Sequence, residues 1–353
     1  MRSDFQLLLF LFILTTIPTY GQNDRMPPLQ LGDAAPPLHM REWLKGKPVL
    51  QFEKGTVYVV EFWATWCIPC KAAIPRLSKL ASKYKKKVIV IGIDIYEMKT
   101  TPVEKVKFFV DSMRHHMKYR VATEDSNFME TGWLDASGEQ GIPKTFVVNA
   151  EGRLAWIGHP VHLHEVLSRI VNNDWNINEA LAKKNSNRYL EELDDSLNYE
   201  LNTYEGDYKI PGDFGKPDSA ILRISEIIGN EPKLKYAPLM ASHTFSALLK
   251  TNSHKAYEYG KEVLITPTYE EPAYDRIIYD IEWWSDKITL APEIYELGAE
   301  AYQLEADQIK QYQDVYNPFR LYNKMAEWYW RAGDKSKAIH AQKKAIKALR
   351  RKK

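Results

Sequence analysis

The sequence predicts a mixed α/β domain followed by an all-helical region. Two apolar runs, "VYVVEFW" and "KVIVIGIDI", have the length and composition of strands that are buried on both faces. The stretch "TFVVNAEGRLAWIG" has the alternation and the turn of an antiparallel hairpin. After residue 218 the chain is rich in Ala, Leu, Tyr and Trp and has few strand signals. We therefore expect an α/β domain at residues 22–171, a polar, broken connector at residues 172–218 and a helical domain at residues 219–353.

The α/β domain is expected to alternate strands and helices. "PVLQF" and "VYVVEFW" predict two strands, and a helix over residues 71–84 follows with Pro75 inside it. After "KVIVIGIDI" a second helix is expected to begin with Thr101 as N-cap, Pro102 at the first helical position and Glu104 closing a capping box. "YRVAT", the hairpin and the helix "HLHEVLSRI" complete the domain. This order predicts a mixed sheet with helices on both faces.

The composition is that of an ordinary globular protein. The chain has 353 residues, 44% hydrophobic and 27% charged, with a net charge of +2. The basic residues are spread along the chain, so nothing indicates nucleic-acid binding. The basic C-terminal "KKAIKALRRKK" is interpreted as a solvated helix end, with a phosphate- or membrane-binding patch as the alternative.

Residues 1–21 are expected to be an export signal peptide. Arg2 is a short n-region, "FQLLLFLFILTTI" is an apolar core, and "TYGQ" offers small residues before a cleavage near Gly21. The apolar run is short for a membrane span, and an uncleaved anchor is the alternative. The mature protein is therefore expected in the periplasm or cell-envelope space.

The only two cysteines of the chain, Cys67 and Cys70, are predicted to be a redox couple. An oxidising compartment pairs or uses thiols, and a loop of this length is too short to staple a fold. The motif lies between a buried strand and a helix, so Cys67 is expected at the helix N-terminus, where the helix dipole stabilises a thiolate. That thiolate would attack, and Cys70 would resolve the mixed disulfide. Pro69 limits the conformations between the two sulfur atoms.

Glu61 is the second candidate catalytic residue. It interrupts the apolar strand "VYVVEFW", and burial there would raise the pKa of its carboxyl group. A buried acid near a dithiol can carry the proton to or from Cys70. The alternative interpretation is that Glu61 faces solvent at the end of the strand.

The stretch "VVEFWATWCIPCKAAIP" resembles the active-site segment of the thioredoxin-like proteins, more narrowly the exported TlpA/ResA-type thiol–disulfide oxidoreductases. Glu61 stands at the family's buried acid, six positions before Cys67, and Pro75 matches the helix proline. "GIPKTF" matches the family's cis-proline loop, which implies that Pro143 is cis and lies opposite the dithiol. The resemblance covers roughly residues 30–170 and implies a thioredoxin-like fold.

The resemblance also implies how a substrate is held. In the family, the partner's backbone pairs with the cis-proline loop, here Ile142 and Pro143, as an added strand. Trp66, Ile68 and Pro69 are expected to frame the site. Ile68-Pro69 departs from the Gly-Pro of thioredoxin, which changes access and redox poise, and the helical tail is not part of the family pattern. No cofactor is expected besides the redox-active disulfide itself.

Two other kinds of site compete for the cysteines. A metal site would need further ligands, and "HPVHLH" supplies His159, His162 and His164, but capping, packing and solvent exposure account for such histidines. Copper-handling relatives have three residues between the cysteines, not two. Peroxiredoxins have a threonine three positions before the reactive cysteine, where this chain has Ala64. We therefore expect no metal.

The helical half contains one segment that resembles a tetratricopeptide (TPR) helix pair, "LYNKMAEWYWRAGDKSKAIHAQKKAI". Ala326 and Tyr329 lie on its first helix, Gly333 at the turn, and Ala338 and Ala345 on the second. A regular repeat array is not supported, so the prediction is an α-helical, TPR-like domain. Its role is open between packing against the first domain and holding a client protein.

The predicted function is an exported oxidoreductase that exchanges disulfides with protein substrates. The resemblance favours a reductant or isomerase that receives electrons from a membrane-embedded donor, and cytochrome c maturation is one candidate pathway. The alternative is a client-binding helical adaptor whose thioredoxin-like domain is a redox switch or inactive.

Overall fold

The computed structural model describes residues 28–98, 100–207, 209–210, 212–269, 272–309 and 317–350. The signal peptide predicted at residues 1–21 lies outside these ranges. Within them, no helix is both long enough and apolar enough to cross a membrane.

A six-stranded mixed sheet forms the centre of the first half of the chain. Its strands run in the spatial order β1-β4-β3-β2-β5-β6, and β2, β3 and β4 are parallel. All seven residues of β2 are buried, as its apolar sequence predicts. Because parallel strands end at the same edge, the segments after β2 and β3 meet there. The strands are Met40–Lys45 (β1), Val57–Trp63 (β2), Val88–Asp94 (β3), Arg120–Glu124 (β4), Lys144–Val148 (β5) and Leu154–Gly158 (β6).

Three helices, Ile68–Lys83 (α1), Val103–Met113 (α2) and Leu163–Val171 (α3), bury apolar residues in one core on one face of the sheet. The opposite face is covered by a π-helical turn at Glu130–Asp135. Apolar residues between positions 29 and 52 and between positions 177 and 181 also pack on this face. The thioredoxin-like fold, the two doubly buried strands and the hairpin of β5 and β6 are confirmed.

Two details of the prediction are wrong. The segment "PVLQF" is not a strand: Leu50 is 86% exposed, while Val49 and Phe52 pack against the core from an irregular segment. The additional strand is β1, earlier in the chain. Helix α2 begins after Pro102, which is itself the N-cap in an extended conformation, and no side chain caps it. The backbone N–H of Thr101 instead donates to the carbonyl of Met98 at 2.7 Å, within a turn.

The segment expected to be a polar, broken connector contains one continuous helix of 26 residues, Ile177–Asn202 (α4). Its first turn packs against the sheet, while Leu190 and Leu201 belong to a core shared with the helical half. The buried stripe is narrow and includes the charged residue Asp194, so the sequence has little apolar periodicity to reveal it. One helix therefore contributes to the cores of both halves.

The remainder is helical, as predicted. The helices are Pro217–Asn230 (α5), Pro238–Thr251 (α6), Ser253–Ile265 (α7), Tyr274–Ser285 (α8), Pro292–Ile309 (α9), Phe319–Arg331 (α10) and Lys335–Arg350 (α11). Helices α10 and α11 form the predicted pair, with Gly333 at positive φ in the turn and Ala338 and Ala345 buried. Membership of a tetratricopeptide family stays a prediction.

Candidate active site

Cys67 and Cys70 form a disulfide at the N-terminus of α1. Cys67 is the N-cap residue, and its sulfur accepts a hydrogen bond from the backbone N–H of Cys70 at 3.2 Å. The exposed fractions of the two residues are 3% and 1%. The sequence prediction thus places Cys67 correctly, at a helix end whose free N–H groups and dipole favour a thiolate there after reduction.

The loop before β5 lies against the disulfide. The Ile142–Pro143 peptide bond is cis, as the family resemblance implied. The sulfur of Cys67 lies 3.8 Å from the carbonyl oxygen of Ile142. Pro143 is buried and Ile142 is half-buried. The carbonyl oxygen of Ile142 and the sulfur of Cys67 therefore lie side by side just beneath the exposed residues of the site.

Exposed apolar residues border the buried disulfide. Trp66 is 50% exposed and Ile68 is 55% exposed, and Pro69 is also exposed. The indole N–H of Trp66 donates to the carbonyl of Tyr96 at 2.9 Å, which fixes the ring beside the loop that follows β3. A partner must therefore cover an apolar rim to reach the sulfur of Cys67.

Glu61 is buried, with an exposed fraction of 1%, so the interpretation that it faces solvent is wrong. Alternation along β2 puts it on the face of Val59 and Trp63, which pack in the same core as the two cysteines. Burial raises the pKa of the Glu61 carboxyl to about 8, although the Thr145 hydroxyl, which donates to its Oε2, and the Lys144 charge oppose the rise. Its Oε1 has no hydrogen-bond partner among the residues that the structure describes.

A second buried acid, Asp94, was missed by the sequence reasoning. It ends β3, pairs in register with Trp63 and has an exposed fraction of 5%. Burial, followed by the nearby carboxylates of Glu97 and Glu124, raises its pKa to about 9. Glu97 also accepts the backbone N–H of Thr65 at 2.6 Å, two residues before the disulfide. The signal was available, because Asp94 interrupts an apolar strand in the same way as Glu61.

The helix α4 contacts the loop that leads to the cis-proline. Glu139 accepts from Lys144 at 2.6 Å and from Lys184 on α4, and these three side chains are at least 80% buried. Arg188, one turn further along α4, donates to the carbonyl of Ser137 at 2.9 Å. Burial alone would raise the pKa of Glu139, but the charges and hydrogen bonds of the two lysines outweigh it and hold that pKa below its usual value. The helix α4 thus connects the helical half to the active-site loop. The prediction of a broken connector at residues 172–218 did not include this contact.

The histidines of "HPVHLH" are not assembled with the cysteines into a ligand set. Among the described residues, no group of three or more His, Cys, Asp or Glu side chains is placed to hold a metal ion. His159 accepts the backbone N–H of Val161 through its Nδ1 at 3.3 Å, and His162 is the N-cap residue of α3. These two histidines take part in local loop and helix-start structure.

Comparison with known proteins agrees with this geometry. The thioredoxin family matches residues 48–112. Protein FixW of Rhizobium leguminosarum is 36% identical over 154 residues, which are 42% of this chain and 68% of FixW. The thiol-disulfide oxidoreductase ResA of Bacillus thuringiensis is 30% identical over 128 residues, 36% of this chain and 68% of ResA. This chain belongs to the thioredoxin-like thiol–disulfide oxidoreductases.

A further relative is the thiol:disulfide interchange protein HelX of Rhodobacter capsulatus, 30% identical over 139 residues, 38% of this chain and 71% of HelX. The chain is therefore an enzyme of this family, and Cys67–Cys70 is the cysteine pair of its thioredoxin domain. The family match ends at residue 112, well before the helical half begins.

Proposed function

We propose that this enzyme is exported and that it reduces or isomerises disulfides in protein substrates. The observation that carries the proposal is the buried Glu61, which lies on the same face of the sheet as the disulfide and has a pKa of about 8. An acid with this pKa holds its proton at neutral pH and still releases it at modest cost, so it serves in both directions of exchange. The direction of electron flow is our inference from the family resemblance.

In the reducing direction, the Cys67 thiolate attacks one sulfur of the substrate disulfide. A mixed disulfide forms, and the other substrate sulfur leaves as a thiolate that takes up a proton from solvent. Glu61 releases its own proton to solvent, and the resulting carboxylate accepts the proton of Cys70, whose sulfur attacks Cys67; Glu61 is thereby returned to its protonated form. The Cys67–Cys70 disulfide forms, and the second substrate thiolate leaves and is protonated. The substrate gains two electrons and two protons, and the enzyme dithiol loses them.

The exposed rim holds the substrate in this proposal. Trp66, Ile68 and Pro69 cover apolar side chains of the partner, and Ile142 and Pro143 pair with its backbone beside the sulfur of Cys67. Because both sulfur atoms are buried, only a segment that fits this rim brings a disulfide within reach. A locally extended or unfolded segment of a protein is the substrate class that satisfies this requirement.

The enzyme needs no cofactor besides its own disulfide in this proposal. Its electrons come from a membrane-embedded dithiol donor, and the chain works in the periplasm or cell-envelope space after its signal peptide is removed. Family resemblance makes cytochrome c maturation one candidate pathway for the substrates.

The proposal is tested by trapping. Cys70→Ala removes the resolving thiol, so Cys67 is expected to accumulate mixed disulfides that dithiothreitol releases and mass spectrometry identifies. Cys67→Ser/Cys70→Ala is the matched control and traps nothing. The proposal is wrong if Cys70→Ala collects no protein under either oxidising or reducing growth.

The adaptor hypothesis is separated by an activity measurement. Insulin reduction is expected to fall to the background rate in Cys67→Ser and in Cys70→Ala. Exchange that persists in both variants would refute the dithiol mechanism. A wild-type protein without detectable exchange, which still binds clients, would favour the adaptor.

A further inference from the structure

The helical half contains a cavity of about 710 Å³ between the end of α4, helix α6 and helix α8. Its size falls within the range of about 300–1,000 Å³ that encloses small ligands. The described residues that line it lie between Asn198 and Lys287, so the cavity shares none of them with the cysteine site. Nothing in the redox mechanism uses it.

The floor of the cavity has hydrogen-bonding capacity that the protein leaves unused. Asp280 is 4% exposed, and the single hydroxyl of Ser242 lies 3.0 and 2.9 Å from its two carboxyl oxygens. One O–H supplies one hydrogen, whereas a carboxyl group has room for several partners. Arg276 lies one helical turn earlier; its Nε has no hydrogen-bond partner among the residues the structure describes, and its ion pair with the exposed Asp275 is long, at 3.8 Å. Unused buried polar atoms cost folding free energy, which a polar ligand would recover.

The wall opposite α8 is held in place by internal pairs. His243 contacts Asn198 at 2.9 Å and Glu205 at 3.4 Å. Lys250, whose side chain is 3% exposed, donates to Glu205 at 2.8 Å. These groups fix the loop after α4 onto α6, so the cavity is formed before any ligand arrives.

The rim offers two flat aromatic rings. Tyr279 and Trp283 lie one turn apart on α8, with ring centroids 6.3 Å apart and ring planes inclined by 13°. They are 56% and 37% exposed, although both line the cavity. Exposed, nearly parallel rings beside a polar floor suit a ligand with one flat apolar face and a polar edge.

The charges at the cavity favour a neutral ligand. Arg276 and Lys287 bring positive charge, and the Lys287 ammonium lies 3.4 Å from the centroid of the Trp283 ring. Glu205 and Asp213 bring negative charge to the opposite wall. A strongly charged ligand of either sign would meet like charge, whereas a neutral polyhydroxylated molecule can donate to carboxylates and accept from the guanidinium.

We propose that this cavity binds a neutral carbohydrate, with Tyr279 and Trp283 packing against sugar ring faces and with Arg276 and Asp280 hydrogen-bonding to its hydroxyl groups. A pyranose ring combines a C–H face, which packs on an aromatic ring, with hydroxyls that both donate and accept. The proposal concerns the helical half alone and is independent of the direction of electron flow at Cys67.

The test is saturation-transfer NMR on the whole chain with cellobiose, maltose, lactose and N,N′-diacetylchitobiose as probes. At least one of these disaccharides is expected to receive saturation at its ring C–H protons. Trp283→Ala is expected to weaken its binding about tenfold, the loss typical of one aromatic contact. Trp330→Ala removes a tryptophan that is 61% exposed outside the cavity and is expected to leave binding unchanged.

Arg276→Ala and Asp280→Asn are expected to weaken binding further, with circular dichroism checking that each variant folds. The proposal fails if none of the four probes receives saturation, or if Trp283→Ala and Trp330→Ala bind equally. It also fails if none of the sugars binds but the carboxymethylated insulin B chain does, and if Trp283→Ala abolishes the binding of that peptide. Cys67→Ser is expected to bind the sugar normally, which separates failure of this proposal from failure of the redox function.

Discussion

The two halves of the molecule bury their polar groups in different ways. In the sheet domain, Glu61 and Asp94 lie on neighbouring strands, on the face that packs with the cysteines. In the helical half, Asp280 and His243 come from separate helices that meet around a cavity. The buried acids of the sheet domain can be recognised in the sequence of one strand, because each is a charged residue that interrupts an apolar run. The polar cluster of the helical half cannot be recognised in this way, because it forms only when separate helices pack together.

The two halves are joined by a structured helix and not by a flexible linker. Helix α4 starts in the core of the sheet and ends in a core with α5 and α6. On its way it contacts the active-site loop through Lys184 and Arg188. Three variants measure how far each half depends on its own polar groups and on the other half.

The largest effect is expected from Glu61→Gln. In the oxidised enzyme, protonated Glu61 donates to Cys70 as the disulfide opens, and an amide cannot replace it. The rate constant for reduction by dithiothreitol is expected to fall by about 10²-fold, the lower end for a lost general acid. Corrected for the thiolate concentration of the reagent, the wild-type rate should decline as the pH rises through about 8, where Glu61 loses its proton, and the variant should show no such decline.

The same substitution has a stability signature of known sign. The pKa of Glu61 is about 8 in the fold and near 4.5 when unfolded, so the unfolded chain binds fewer protons between these values. Wild-type stability therefore falls as the pH rises from 4.5 to 8. Glu61→Gln removes this loss and is expected to gain about 3 kcal/mol on the wild type between pH 5 and pH 8 in urea denaturation. Glu151→Gln changes an exposed carboxylate and serves as the control; an equal gain there would assign the effect to net charge.

Gly298→Ala tests whether the helical half can be weakened alone. A Cβ at Gly298 on α9 would lie 2.1 Å from ring carbons of Trp328 on α10, so the two helices must separate. The expected loss is about 1–3 kcal/mol of unfolding free energy, as for other overpacked cores, with insulin reduction unchanged at 25 °C.

Gly229→Ala on α5 is the matched substitution, because a Cβ there meets nothing within 4 Å. It is expected to stabilise by about 0.5–1 kcal/mol through the higher helix propensity of alanine. If Gly298→Ala slows insulin reduction in proportion to its loss of stability, the two halves form one cooperative unit and the comparison between them breaks down.

The sequence revealed those site residues that stand out against their neighbours. Cys67 and Cys70 are the only cysteines, Glu61 is a charge inside an apolar strand, and Pro143 lies in a short motif. Asp94 follows the logic of Glu61 but lies at the end of its strand, where an acid is less conspicuous. The same physical rule, that a charged residue within an apolar strand is buried with it, applies to Asp94.

Other features could not be read from one segment at a time. The contact of Lys184 with Glu139 joins residues 45 positions apart on a helix whose apolar stripe is narrow. The cavity gathers side chains from α4, α6 and α8. In each case the determining fact is a distance between separate elements, which no local periodicity encodes. The strand β1 was missed for a related reason, since "PVLQF" is more apolar than the segment that pairs with β4.

The smallest effect is expected from Lys184→Ala, which tests the contact between α4 and the active-site loop. Without Lys184, Glu139 keeps only Lys144 as a cationic partner, and the loop that carries Ile142 and Pro143 is held to α4 by Arg188 alone, through the carbonyl of Ser137. The kcat/KM for insulin reduction is expected to fall about threefold, through KM rather than kcat, the size of effect for one ion pair that is not fully buried. Lys184→Arg should restore the wild-type value.

Lys183→Ala is the control for the charge, because it removes an exposed lysine from the same turn of α4. A loss confined to Lys184→Ala means that the helical half positions the substrate loop, and the two halves then act on one substrate. Equal values for wild type, Lys183→Ala and Lys184→Ala would mean that the loop is held by the sheet alone. In that case α4 joins two cores without coupling them, and the helical half must contribute through its own cavity.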